Sequence, residues 1–226
     1  RIMARNLVHI LEKAGLSFGI LGNEEECCGN EVYSLGEMEL FKALAAKNIE
    51  KFREMGVKKV INLCPHGYNV MKNQYQDMGY KFDVYHYTQV LDSLIRDNKL
   101  KLSGRVSKVT YHDPCYLGRH NKLYDASRRI LQSMPGTEIV EMARNRVDAF
   151  CCGGGSGNFV TDYLAGGENS PARVRIREAS ETGATTLALA CPGCMVMFKD
   201  AVKSESLEDK LQVKDISTIV WESMAP

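Results

Sequence analysis

The chain has 226 residues, enough for one large domain or two of about 110. Hydrophobic residues make up 44% and charged residues 25%, which is ordinary for a globular protein. The net charge is only +1 and the charges are interspersed, which excludes the long-range field that favours nucleic acid or an anionic membrane.

No stretch reads as a membrane span. The most apolar run, residues 187–198, is shorter than the ~20 residues a span needs, and Pro192 interrupts it. Arg5, His9, Glu12 and Lys13 punctuate the start, so no secretion signal is expected there and the expected location is cytoplasmic. The chain opens without a methionine, inside what reads as a helix. A further region is therefore expected ahead of Arg1.

In chain order, residues 1–15 place Ile2, Leu7, Val8, Ile10 and Leu11 on a helical stripe. Residues 17–21 read as a short strand. A loop with Glu24, Glu25 and Glu26 leads to Cys27-Cys28-Gly29. A helix is expected over 36–55, a strand over 57–63, a helix over 66–77 and a strand over 82–85. Thr88 is the expected cap of the next helix. Residues 99–104 form a polar joint, which divides the chain into units 1–102 and 103–226.

The second unit is expected to open with a strand over 106–111, ending at Asp113-Pro114-Cys115. A helix over 124–134, with Asp125 as its cap, and a strand over 138–142 follow. After Cys151-Cys152 comes a glycine run, 153–157, read as a flexible loop. A helix over 171–182 starts with proline. A strand over 185–190 runs into Cys191-Pro192 and a helix to 202. Residues 211–223 give a last strand and helix. Strand and helix alternate throughout, which predicts an α/β fold of two pseudo-repeated units, each with a parallel sheet flanked by helices.

All eight cysteines fall into that repeat. They stand in Cys27-Cys28-Gly29, Cys64-Pro65-His66-Gly67, Cys115, Cys151-Cys152-Gly153 and Cys191-Pro192-Gly193-Cys194. Thirty-five residues separate Cys28 from Cys64, and 38 separate Cys152 from Cys191. Residues 56–65 also align with 183–192 without a gap. Adjacent pairs such as Cys27-Cys28 make poor scaffolding for independent disulfides, and clustered thiols in a reducing compartment point to metal or redox chemistry. Iron–sulfur, structural zinc and buried thiols all remain open at this point. Zinc favours two CxxC pairs or Cys-His sets, and only one intact CxxC exists here. Cysteines at the carboxyl ends of parallel strands fit the usual place for ligands on such sheets.

The ordered set of a lone Cys, a Cys-Cys-Gly and a Cys-Pro-x-Cys resembles the cysteine-rich CCG domain. That domain occurs twice in heterodisulfide reductase subunits and in related iron–sulfur subunits of glycolate and lactate oxidation. The resemblance covers essentially the whole chain and includes His112-Asp113-Pro114-Cys115-Tyr116-Leu117-Gly118-Arg119. It implies a [4Fe-4S] centre, cubane or noncubane, held by Cys115, Cys151, Cys152, Cys191 and Cys194. It implies an iron–sulfur oxidoreductase subunit that passes electrons between a flavoprotein and a quinone or ferredoxin-type carrier. The alternatives are a disulfide or thiol reductase with substrate sulfur on the iron, and a non-redox zinc protein.

The first unit departs from the pattern. Gly67 stands where the second cysteine of Cys-Pro-x-Cys belongs, and the lone upstream cysteine is absent. Cys27, Cys28 and Cys64 remain as a second, incomplete set, with His66 as a candidate fourth ligand. Loss of a centre in this unit is the expectation, since a four-iron centre normally takes four protein ligands. His112 is read as a proton relay or a hydrogen-bond partner of cluster sulfur, or else as a residue that orders its loop. Arg119 and His120 are read as anion contacts or solvent-facing groups. Arg173, Arg175 and Arg177 alternate along a helix and are expected on a solvated surface.

Overall fold

The computed structural model describes residues 1–104, 108–161 and 167–224. The first half forms α1 (Ile2–Lys13), α2 (Asn30–Ser34), α3 (Met38–Glu54), β1 (Lys59–Asn62), α4 (Pro65–Asn73), β2 (Asp83–His86) and α5 (Tyr87–Arg96). The second forms β3 (Lys108–Tyr111), α6 (Ala126–Gln132), β4 (Glu138–Ile139), α7 (Asn158–Thr161) and α8 (Pro171–Glu181). It continues with β5 (Thr186–Leu189), α9 (Pro192–Ser204), β6 (Gln212–Asp215) and α10 (Ile216–Ser223). The architecture is α/β, as the alternation of elements predicts. One sheet pairs β1 with β2, the other has the order β4-β3-β5-β6, and every pairing is parallel.

The internal repeat is visible at residue level. β1 begins at Lys59 and β5 at Thr186, the positions that the ungapped alignment pairs. Each strand runs into a Cys-Pro step, with Pro65 and Pro192 opening α4 and α9. A proline is tolerated there because the first amides of a helix have no intrahelical acceptor. These two helices make the crossovers that parallel pairs require.

Side-chain alternation then sorts the layers. Leu187 and Leu189 of β5 enter a core with Ile176, Phe198 and Val202 of α8 and α9. Ala188 and Ala190 face the other way, into a core with Leu11, Leu91, Ile130 and Ile219. That second core draws α1 and α5 from the first half and α6 and α10 from the second, so the halves share it. Phe41, Ile49, Phe52 and Val70 form the outer core of the first half. Burying each such side chain stabilises the fold by roughly 1.5–3 kcal/mol. Tyr87 Oη also donates to the buried Asp215 carboxylate at 2.9 Å, a polar tie between the halves.

Several expectations change. Residues 17–21 form no strand, because residues 17–20 are exposed and pair with no neighbouring strand. Ile2 is exposed, off the buried stripe of α1. The short α2 after the first Cys-Cys-Gly has too few residues to show a period. His86, not Thr88, stands at the start of α5. Its backbone N–H bonds Gln89 Oε1 at 3.0 Å, and Thr88 Oγ1 lies 2.8 Å from His86 Nδ1. Asp125 sits at the N-cap of α6, but its carboxylate pairs with Arg146 instead. β4 stops at Ile139, short of the expected 142. Val106, the expected start of β3, lies outside the described residues. Among the described residues no helix is long and apolar enough to cross a membrane.

Candidate metal centre

Cys115 follows β3, Cys191 follows β5 and Cys64 follows β1, so three strand ends deliver thiols to one place. Cys151 and Cys152 arrive on the loop ahead of α7, and Cys194 lies on the first turn of α9, one turn from Cys191. The sulfurs make one continuous run. Cys151 lies beside both Cys115 and Cys152. Cys194 Sγ lies 3.3 Å from Cys152 Sγ. Cys191 contacts both Cys194 and Cys64. Cys152, Cys191 and Cys194 are buried and Cys115 and Cys151 partly so.

Two thiols of this run are pulled down, and their neighbours are pushed up. Cys151 accepts from Cys115 and Cys152 and is pulled far below an ordinary thiol pKa. Cys191 accepts from Cys194 and Cys64 and is pulled down likewise. The donors Cys115, Cys194 and Cys64 are pushed up by holding those bonds, then by burial. Crowded thiols of this kind cannot all ionise together, because neighbouring thiolates repel and burial disfavours each charge. A thiophilic metal group removes that restriction, because it deprotonates coordinating thiols outright. The donor set therefore fits an iron–sulfur centre, and six sulfurs exceed the four ligands of tetrahedral zinc.

A cleft over the run is lined by Pro65, His66, Cys115, Tyr116, Cys191 and Gly193, among others, and encloses about 270 Å³ with its open mouth. Within the glycine run after Cys152, Gly154 permits a close approach. A Cβ on Gly154 would lie 2.8 Å from Met197 Cγ and 3.6 Å from Cys152 Sγ.

The loops are clamped by buried charge. Arg128 grips Asp113 through two bonds, of 2.7 and 2.9 Å, and also bonds Glu141. Asp113 in turn accepts from the Arg146 amide at 2.8 Å, which holds the loop ahead of Cys151. Arg119 donates to the Ala149 carbonyl at 2.6 Å, and His120 stacks on Tyr116. Arg175 is fully buried, which corrects the expectation of a solvated surface. It donates to Glu178 and to the Arg144 carbonyl, and its Nε lies 3.3 Å from His112 Nδ1. Helical geometry explains it. Ala172, Arg175, Ile176 and Ala179 share the buried face of α8, whereas Arg173 and Arg177 both pair with Glu205. That period was readable in the sequence. Burial, and secondarily the Arg175 charge, push His112 down to a pKa of about 3, so its ring is neutral.

The remaining first-unit residues divide. Cys27 is exposed and Cys28 partly buried, and neither joins the sulfur run. A Cβ on Gly67 would lie 3.8 Å from Cys28 Sγ but only 2.8 Å from Asn62 Oδ1. The Asn62 side chain thus crowds the place of the absent thiol. Cys64 instead touches Cys191 across the junction, and His66 joins it. Burial opposes charge on His66, but Cys191 and Glu31 outweigh it and raise its pKa to about 9. Glu31 bonds His66 with one oxygen and the Gly157 amide with the other, the latter at 2.9 Å. Nothing in the sequence pointed to Glu31, because its partners lie 35 and 126 residues away.

Known proteins share this pattern. A family model described as a cysteine-rich domain matches residues 3–72 and 109–199. The chain is 39% identical over 224 residues to EtfAB:quinone oxidoreductase of Syntrophomonas wolfei, covering 96% of this chain and 31% of that protein. It is 37% identical to the probable iron-sulfur-binding oxidoreductase FadF of Bacillus subtilis, covering 98% of this chain and 31% of that protein. It is 35% identical to a subunit of the dihydromethanophenazine:CoB–CoM heterodisulfide reductase of Methanosarcina barkeri, covering 95% and 53% respectively. The chain thus spans between about a third and about half the length of these relatives. Because the family match covers both halves and both Cys-Pro steps, the chain belongs to the cysteine-rich CCG domain family.

Proposed function

We propose that the chain is an iron–sulfur electron-transfer unit of a larger oxidoreductase, passing electrons between a flavoprotein and a quinone or ferredoxin-type carrier. One observation supports this reading: strand ends and loops of the second half bring five thiols to one place, with Cys152, Cys191 and Cys194 buried and the Cys152 and Cys194 sulfurs 3.3 Å apart. Cys115, Cys151, Cys152, Cys191 and Cys194 would hold a single [4Fe-4S] centre. Bound there, it supplies one-electron transfer at a potential set by burial and by hydrogen bonds to sulfur. The protein's own residues keep the ligand loops fixed through Asp113 and Arg128 and keep bulk water from Cys152, Cys191 and Cys194.

The unit boundary lies at residues 102 and 103. The first unit holds no centre, because Gly67 and the Asn62 side chain leave Cys27 and Cys28 without enough partners. The chain works in the cytoplasm, and any membrane attachment comes through a partner or a region outside it.

The test is anaerobic mixing of the iron-loaded chain with a reduced electron-transfer flavoprotein. Reduction of the centre on the timescale of turnover, about 1–10³ s⁻¹, supports the proposal. A loaded centre that takes no electrons from any reduced flavoprotein contradicts it. A second reading, reduction of a disulfide at the centre, is favoured by the open cleft over Cys115 and Cys191. Turnover of a heterodisulfide that disappears with the iron would establish it.

A further inference from the structure

His112 is 1% exposed and Arg175 0%, and each carries a buried nitrogen without a hydrogen-bond partner among the described residues. For His112 that atom is Nε2. The position of the ring proton follows from its other nitrogen. Arg175 Nε carries a hydrogen and has no lone pair to offer, so it donates to His112 Nδ1. Nδ1 is therefore the acceptor of a neutral ring, and Nε2 carries the proton. A ring nitrogen of His112 lies within 4.8 Å of both Cys152 Sγ and Cys194 Sγ. With Nδ1 engaged by Arg175, Nε2 is the nitrogen free to face that sulfur pair.

The ring has little freedom to turn. Its backbone amide bonds the Ala188 carbonyl at 2.9 Å, and its edge meets the Phe198 ring at 4.6 Å and 89°. Arg175 is itself held by Glu178 and the Arg144 carbonyl. An unpaired buried N–H is unfavourable, and a sulfur acceptor at the site would offset that cost.

We infer that His112 is a fixed N–H donor to the sulfur edge of the centre beside Cys152 and Cys194, and that Arg175 is the positioning residue that sets its tautomer. The inference rests on the proposed centre in the second unit. Donation to sulfur favours the reduced, more negative state, so His112 raises the reduction potential. His112 is a donor here and not a ligand of iron.

The experiment is a redox titration of anaerobically purified protein, followed by electron paramagnetic resonance, with iron and sulfide measured on each sample. His112→Leu is expected to keep its iron and to lower the potential. The ratio of reduced to oxidised protein at a fixed potential should fall about tenfold, which is ~59 mV for a one-electron couple. His112→Gln, which keeps an N–H near the Nε2 position, should restore most of the shift. An unchanged potential in a fully loaded His112→Leu variant overturns the inference and leaves the centre intact.

Wild-type protein labelled with ¹⁵N-histidine covers the case in which the variant does not fold. Pulsed resonance should show a weak ¹⁵N coupling to the reduced centre that survives His66→Gln. No such coupling, or a strong coupling from direct ligation, overturns the inference. Absence of iron from the wild type overturns the proposed function itself, so the two failures are separable.

Discussion

Cys64 and Cys191 hold the same place in their halves, behind a parallel strand and ahead of a proline-started helix. Three residues on, the halves part: one has Gly67 and the other Cys194. The skeleton outlasts the thiols because apolar alternation and helix packing maintain it, and neither depends on sulfur. The second-half thiols sit on loops that buried charge holds in position. With fewer thiols of its own, the first half turns Cys64 and His66 towards Cys191 and Glu31 towards the Gly157 amide of the second.

The largest effect should come from contrasting the two sets. Cys194→Ser is expected to cut bound iron about a hundredfold or more, at or beyond the ~10–100-fold that loss of an outer partner costs, while Cys27→Ser leaves it unchanged. Equal losses from both variants, read by iron analysis, would erase the distinction between the halves.

Next comes the buried charge clamp of the second half. Arg128→Met leaves Asp113 buried without its cation, at a cost of roughly 3–5 kcal/mol in denaturant unfolding. A loss below 1 kcal/mol would show that the loop ahead of Cys151 is held some other way.

The strand–helix skeleton was legible because it is local. Residues 183–192 repeat 56–65, and proline and cysteine mark where each strand ends. The five thiols of the second half were legible as a set for the same reason. What the sequence did not show is tertiary. Cys64 meets Cys191 only after the halves pack, and Glu31 joins His66 to Gly157 across the same junction. Arg175 lies between these cases. The helical period placed it on the apolar face of α8, but the charge of its neighbours Arg173 and Arg177 argued for solvent.

Restoring the missing cysteine probes the same contrast at smaller scale. Gly67→Cys forces its Cβ against Asn62 Oδ1 and should destabilise the fold by about 1–3 kcal/mol while adding no iron. Extra iron in that variant would mean that the first half is one thiol short of a working site. The smallest change is expected from Glu31→Gln, which keeps the Gly157 bond and weakens the bond to His66. A loss of about 1 kcal/mol with unchanged iron is expected, by thermal unfolding and metal analysis. Loss of iron would make the contact between halves part of the centre itself.

Whether one half is filled and the other empty is decided by the content of iron, acid-labile sulfide and zinc in anaerobically purified protein. About four irons and four sulfides per chain are expected, all in the second half. About eight irons would contradict the empty first half, and about one zinc with negligible iron would contradict the redox centre altogether.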